Sequence, residues 1–136
     1  MARTSVNALP RWQLLTVVLS ATSLLASGLA WLVLHYAMSR EGMPHPLEAW
    51  ALRWHGLSAP VALFAAGFLA AGHIGRGWRL GRHRASGLGL ALLSVAAVLT
   101  GYALSYLVGE GGRPAMGFVH AALGVVAFAL GALHAR

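Results

Sequence analysis

The chain has 136 residues, of which 58% are hydrophobic and only 10% are charged. A soluble globular chain carries about a quarter charged residues, so this composition excludes an ordinary soluble domain and indicates a membrane protein. All ten basic residues are arginines that lie between or beside long apolar runs, as membrane-flanking charges do. The net charge of +7 therefore does not indicate a nucleic-acid partner, which would need basic residues gathered on a solvated face.

Four uncharged stretches follow one another along the chain, at 12–39, 54–75, 85–109 and 114–135. A helix needs about 20 mostly apolar residues to cross the hydrocarbon core, and each stretch is long enough. We predict helices at roughly 12–37, 48–74, 86–108 and 115–134. Together they predict an all-α fold, a single transmembrane domain over 1–136 that forms an integral membrane four-helix up-down bundle.

The first stretch has a competing interpretation as a signal peptide, with "LLTVVLSATSLLASGLA" as its apolar region and Ala26-Ser27-Gly28 as its cleavage site. The apolar run continues through "WLVLHYAM", which is longer than the 7–15 residues or so of such a region. We therefore favour a retained helix.

The orientation follows from the segment "GRGWRLGRHR" between the second and third helices, which is the richest in arginine. The positive-inside rule places that segment in the cytoplasm, and an even number of spans then places both termini there as well.

Histidines mark the second and fourth predicted helices. His55 and His73 are eighteen residues apart, which is five helical turns and about 27 Å along the axis, so the two rings share one face. His120 and His134 are fourteen residues apart, about 21 Å, and again share a face. Because the second and fourth helices run in the same direction in an up-down bundle, His55 and His120 lie at the periplasmic level, and His73 and His134 at the cytoplasmic level.

Imidazole is the commonest metal ligand in proteins, and it is a common axial ligand of haem iron. The pairs His55–His120 and His73–His134 are each predicted to bind one haem b non-covalently. The sequence has no cysteine, which excludes iron–sulfur clusters, thiolate zinc sites and a covalently attached c-type haem. A single haem, and no haem at all, remain alternatives, because one histidine near a helix end can also be an ordinary interfacial residue.

These paired histidines, together with "HGLSAPVALFAAGFLAAGHIGRGWR", "TGYALSYL" and "HAALGVVAFALGALH", resemble the bacterial cytochrome b membrane subunits. That superfamily includes the cytochrome b five-six-one type and the gamma subunits of formate dehydrogenase and nickel hydrogenase. The resemblance covers nearly the whole chain and implies a multi-pass protein of the bacterial inner membrane. The second helix departs from the cytochrome b of bc complexes, in which both ligand-bearing helices have near-equal short spacings.

Other polar residues have weaker assignments. His35 is a candidate alternative ligand or quinone contact, although an interfacial residue is the better interpretation, and His45 and His83 are interpreted as loop residues. Thr100, Tyr102, Ser105 and Tyr106 could hydrogen-bond a quinone or a propionate, or make helix–helix contacts. Four arginines are candidate partners of haem propionates, although an ordinary membrane flank also explains them: Arg53, Arg76, Arg79 and Arg113.

The function predicted from these features is electron transfer across the bilayer by a membrane b-type cytochrome. Since no nucleotide motif or soluble catalytic domain is present, the chain would be an electron-transfer subunit rather than a complete enzyme. Its expected partners are membrane lipid, a quinone pool, and a redox partner protein or a larger respiratory-type complex. The alternatives are a haem-free structural membrane anchor and a metal-handling membrane protein, although the spans lack the acidic residues typical of metal transport.

Overall fold

The computed structural model describes residues 10–39, 43–69, 72, 75 and 84–135, and over these residues the chain is all-helical, as predicted. The chain divides into two compact units, Met1–Arg82 and His83–Arg136. Each unit contains two long helices, and the predicted boundaries agree with the observed ones to within about two residues wherever the chain is described.

The first unit contains α1 (Arg11–Val33), which continues as a π-helical turn over Leu34–Met38, and α2 (Glu48–Phe68). The connection carries Pro44 and Pro46, which cannot continue a helix. The backbone amide of Glu48 donates to the carbonyl of His45 at 2.9 Å and so begins α2 directly after this turn. We call α1 and α2 the first hairpin.

The two helices of the first hairpin are antiparallel. The rings of Trp12 and Phe68 meet at one end with centroids 5.2 Å apart, and the Nδ1 of His35 lies 2.7 Å from the Oε1 of Glu48 at the other. Small residues lie between the helices, where Ser20, Ser27, Ser58 and Ala65 are buried. Because small side chains fill this seam, the helix backbones can approach closely.

The second unit contains α3 (Arg84–Tyr106), a 3-10 turn over Glu110–Gly112, and α4 (Arg113–His134), which we call the second hairpin. Pro114 lies in the first turn of α4, where its missing amide hydrogen costs nothing. Contacts of α3 residues 86 and 100 with α4 residues 134 and 120 show that the helices run antiparallel.

Among the residues that the structure describes, three helical segments are long and apolar enough to cross a membrane: Arg11–Met38, Arg84–Tyr106 and Glu110–His134. The prediction of a membrane protein is supported to that extent. The predicted second span, 48–74, is helical over Glu48–Phe68, and part of its remainder lies outside the described residues. Large apolar side chains such as Leu19, Phe64 and Leu99 stay exposed on the hairpins, as a lipid environment allows.

Candidate functional site

His55 of α2 faces a serine–glycine step on α1. Its Nδ1 lies 3.1 Å from the Oγ of Ser27 and 3.0 Å from the carbonyl oxygen of Leu24. The imidazole is packed so closely against Gly28 that a Cβ at that position would come within 3.3 Å of the ring's Cε1. A hydroxyl and a carbonyl therefore hold one side of the ring, and a glycine makes room for it.

The hydrogen bonds around His55 assign its proton. A carbonyl oxygen can only accept, so the bond to Leu24 requires that Nδ1 carries a hydrogen. Ser27 gives its own hydroxyl hydrogen to the carbonyl of Ser23, at 2.6 Å, and its oxygen can accept from Nδ1. In a neutral imidazole with the hydrogen on Nδ1, the lone pair is on Nε2, which is the nitrogen through which such a ring would bind a metal.

His120 of α4 repeats this arrangement against α3. Its Nδ1 lies 3.0 Å from the Oγ1 of Thr100, whose hydroxyl hydrogen goes to the carbonyls of Ala96 and Ala97 at 2.8 and 3.0 Å. With that hydrogen on the carbonyls, Thr100 accepts from Nδ1, and this tautomer leaves the lone pair on Nε2. Gly101 lies under the ring, and a Cβ there would be 3.2 Å from Cε1.

His134, near the end of α4, has the same kind of neighbour. Its Nδ1 lies 2.8 Å from the Oγ of Ser86, and a Cβ on Gly87 would lie 3.6 Å from its Cε1, an ordinary contact distance. Ser86 and Thr100 are fourteen residues apart, as are His134 and His120. Both histidines therefore face α3, which agrees with the prediction that they share one face of their helix.

A Ser–Gly or Thr–Gly step occurs three times in the sequence, at 27–28, 86–87 and 100–101. Each of the three lies opposite a histidine. Neither Ser27 nor Ser86 was predicted to be a partner of a histidine, and Thr100 was predicted only as a contact to a quinone, a propionate or another helix. Of these alternatives the structure bears out the helix–helix contact. The recurring dipeptide was the signal that could have identified all three.

The predicted ligand His73 and the predicted propionate partners Arg76 and Arg79 lie outside the described residues. His83 lies outside them as well. Arg53 is exposed on α2, with its guanidinium carbon 5.2 Å from the ring centroid of Trp50, and Arg113 is exposed at the first position of α4. Both arginines precede a candidate ligand on the same helix, His55 and His120 respectively.

His35 and His45 lie near the connection between α1 and α2. His35 stacks on Trp31 with ring centroids 4.7 Å apart and pairs with Glu48, and its side chain is 42% exposed. His45 uses its Nδ1 to accept a hydrogen bond from the amide of Leu47 at 3.2 Å. Trp31, His45 and Glu48 line an open cleft of about 490 Å³ together with Pro44, Pro46, Ala49 and Leu52.

The donor set can be compared with what a haem requires. No three histidine, aspartate or glutamate side chains within the described ranges gather to hold a bare metal ion. A haem iron takes four nitrogens from its porphyrin and needs only axial ligands from the protein, for which histidine is common. A ligating histidine usually donates its other ring N–H to an oxygen acceptor, as His55 does to Leu24 and as His120 does to Thr100 in its Nδ1–H tautomer. The hydrogen bonding of these two histidines is thus compatible with axial ligation of a haem iron.

Comparison of the chain with protein-family models, with curated proteins and with solved structures finds no match in any of the three.

Proposed function

We propose that this protein is a membrane b-type cytochrome that carries electrons across the bilayer through two haems. The observation that carries the proposal is the hydrogen bonding of Nδ1 in His55 and His120. In both, an oxygen of the neighbouring helix lies 3.0 Å from Nδ1, and the tautomer with its hydrogen on Nδ1 has its lone pair on Nε2. Histidines arranged in this way on apolar helices are suited to axial ligation.

The chain would contribute ligands, surroundings and charge. A bound haem would supply the one-electron redox chemistry. His55, His73, His120 and His134 would be the axial ligands, paired as His55–His120 and His73–His134 according to their spacing along the helices. Arginines near the ends of the spans would bind the propionates: Arg53 and Arg113 on one side, and Arg76 and Arg79 on the other.

The same proposal includes an orientation and partners. The arginine-rich segment 76–84 would lie in the cytoplasm of a bacterial cell, with both termini on that side of the inner membrane. As an electron-transfer subunit, the chain would exchange electrons with a quinone pool and with a redox partner protein or a larger respiratory-type complex.

A haem-free structural subunit is the second candidate. The observation that favours it is that each of the three described candidate ligands already has a hydrogen-bond partner within its own hairpin. These partners are Ser27 for His55, Ser86 for His134 and Thr100 for His120. Such bonds satisfy a partly buried imidazole and join two helices without any cofactor. The two candidates differ in what they predict for the purified protein.

The deciding experiment is a reduced-minus-oxidised visible spectrum of the detergent-purified protein, expressed with haem supplied, with a pyridine-haemochrome assay for the haem count per chain. Sharp low-spin b-type bands and two haems per chain are expected. One haem would leave a single histidine pair, to be identified with His→Ala variants. Folded protein without haem would contradict the cytochrome proposal and favour the structural subunit.

A further inference from the structure

The hydroxyls opposite His55 and His120 make a second contact besides the hydrogen bond within their own helix. A Ser or Thr hydroxyl within a membrane helix commonly donates its hydrogen bond to a carbonyl oxygen one turn earlier in the same helix, and Ser27 and Thr100 are placed to do so. Each then presents its oxygen to the Nδ1 of a histidine on the neighbouring helix, at 3.1 and 3.0 Å. With the hydroxyl hydrogen on that carbonyl, the oxygen acts towards the imidazole as an acceptor.

We propose that Ser27 and Thr100 are positioning residues that set the tautomer, the ring plane and the electron donation of the axial imidazoles. The inference rests on the proposed function. It adds that the two hydroxyls, and not only the histidines, determine how each imidazole would bind the iron. Ser86, whose Oγ lies 2.8 Å from the Nδ1 of His134, occupies the equivalent place at a third ligand.

The electronic part of the proposal follows from the hydrogen bond. An acceptor on the Nδ1 hydrogen raises the basicity of the ligating nitrogen, as oxygen partners of metal-bound histidines do. A more basic ligand stabilises the oxidised iron more than the reduced iron. The hydroxyl oxygens therefore lower the reduction potential of the haem, and their removal raises it.

The steric part follows from the glycine next to each hydroxyl. The positions of a Cβ on Gly28 and Gly101 would lie 3.3 and 3.2 Å from the Cε1 of His55 and His120, closer than most such contacts. The hydrogen bond therefore holds the imidazole at Nδ1. The glycine, which has no side chain, leaves space for the adjacent Cε1 edge of the ring. Together they fix the angle of the ring around its Cβ–Cγ bond, which sets its orientation over a bound porphyrin.

The test compares Thr100→Val with Thr16→Val in the full-length, haem-loaded protein. Thr16 donates to the carbonyl of Trp12 at 2.8 Å, the same intrahelical bond that Thr100 makes, and among the described residues it contacts no imidazole. Valine keeps the shape of threonine in both variants. The readouts are the haem count, the midpoint potential from a redox titration, and the low-field electron paramagnetic resonance g value of the oxidised protein, which reports the ring planes.

We expect Thr100→Val to keep its haem and to raise the midpoint potential of one haem. The expected rise corresponds to about a tenfold higher ratio of reduced to oxidised haem at a fixed potential, which is about 59 mV for one electron. The g value of the same haem should also shift. Thr100→Ser should restore both readouts, and Thr16→Val should change neither. Ser27→Ala should also raise the midpoint potential of a haem, although the carbonyl of Leu24 still accepts a hydrogen bond from His55.

The outcomes separate this inference from the proposed function. A wild-type protein without haem would contradict both. Suppose instead that the wild-type protein binds haem, but that Thr100→Val and Ser27→Ala have the same midpoint potential and g value as Thr16→Val. That result would overturn the positioning role and leave the cytochrome proposal intact. If Thr100→Val and Ser27→Ala both failed to fold while Thr16→Val folded, the hydroxyls would be packing residues, and the inference would again be wrong.

Discussion

Serines join the two helices of the first hairpin, whereas histidines make the polar links between the helices of the second. In the first hairpin Ser23 bonds Ser58 at 2.8 Å and accepts from the Nε1 of Trp54 at 3.0 Å, in addition to the contacts of His55. In the second, the bonds between α3 and α4 include Thr100–His120 and Ser86–His134, and both involve a candidate ligand.

The difference indicates how much each hairpin depends on its candidate ligands. The first hairpin has a polar seam that does not involve its candidate ligand His55, so a change at this residue leaves other links between α1 and α2. In the second hairpin the same imidazoles would hold the cofactor and join the helices. Ligand changes there should therefore affect both cofactor binding and stability.

The largest expected effect comes from the ligands. His55→Ala and His120→Ala should each remove one of the two proposed haems, because a bis-histidine iron that loses a ligand is no longer held from both sides. His120→Ala should also lower the resistance of the helices to unfolding in detergent more than His55→Ala does. Haemochrome counts and unfolding in sodium dodecyl sulfate, followed by circular dichroism, measure the two effects.

His45→Ala is the control for these variants, since His45 lies in the connection before α2 and the described hydrogen bond of its imidazole is to the nearby amide of Leu47, while its other bonds are made by its backbone. It should keep the full haem count. Equal losses of stability for His55→Ala and His120→Ala would remove the proposed distinction between the hairpins.

The next effect concerns the glycines under the rings. Gly101→Ala and Gly28→Ala bring a methyl group within 3.2 and 3.3 Å of an imidazole, and overpacking of this kind costs about 1–3 kcal/mol. Gly87→Ala, at 3.6 Å from His134, should cost less. Haem retention and unfolding in detergent should follow that order.

Gly124→Ala is the matched control on α4, where an added Cβ meets no described atom within 4 Å. It should be neutral or stabilise the helix by up to about 1 kcal/mol, because alanine is the better helix former. A Gly101→Ala protein as stable as Gly124→Ala would show that the ring can move, and would argue against a fixed orientation of His120.

A smaller effect is expected in the serine seam of the first hairpin. Ser58 gives its hydrogen to the carbonyl of Trp54, so Ser23 donates to Ser58. A double-mutant cycle with Ser23→Ala and Ser58→Ala should give a coupling of about 0.6 kcal/mol, typical of hydrogen bonds between membrane helices. The haem count should stay at the wild-type value, and a lost haem would show that the seam and the ligand site are not independent.

The smallest effect is expected at the end of the first hairpin, where His35 and Glu48 pair at 2.7 Å. The His35 side chain is 42% exposed, and ion pairs at such positions contribute about 0.2–1 kcal/mol. Glu48→Gln should therefore change stability within that range and leave the spectrum of the haems unchanged. A spectral change would bring His35 back as an alternative ligand.

The helices follow from the sequence by itself. Composition and the spacing of the arginines predict four long apolar segments, and three of them are confirmed as helices able to cross a membrane by length and composition. The fourteen-residue spacing also places His120 and His134 on one face of α4, because helix geometry is local and regular. These inferences need no knowledge of what a helix packs against.

Only the tertiary structure identifies the partners of the histidines. Ser27 lies 28 residues before His55, and Ser86 lies 48 residues before His134, so no local pattern relates them. Which hydroxyl meets which imidazole depends on the register of each hairpin, and that register is set by the length of the connection and by the fit of small residues along the seam. The sequence by itself therefore identified the candidate ligands, whereas the packing of the helices decided which nitrogen of each described ring is held and by what.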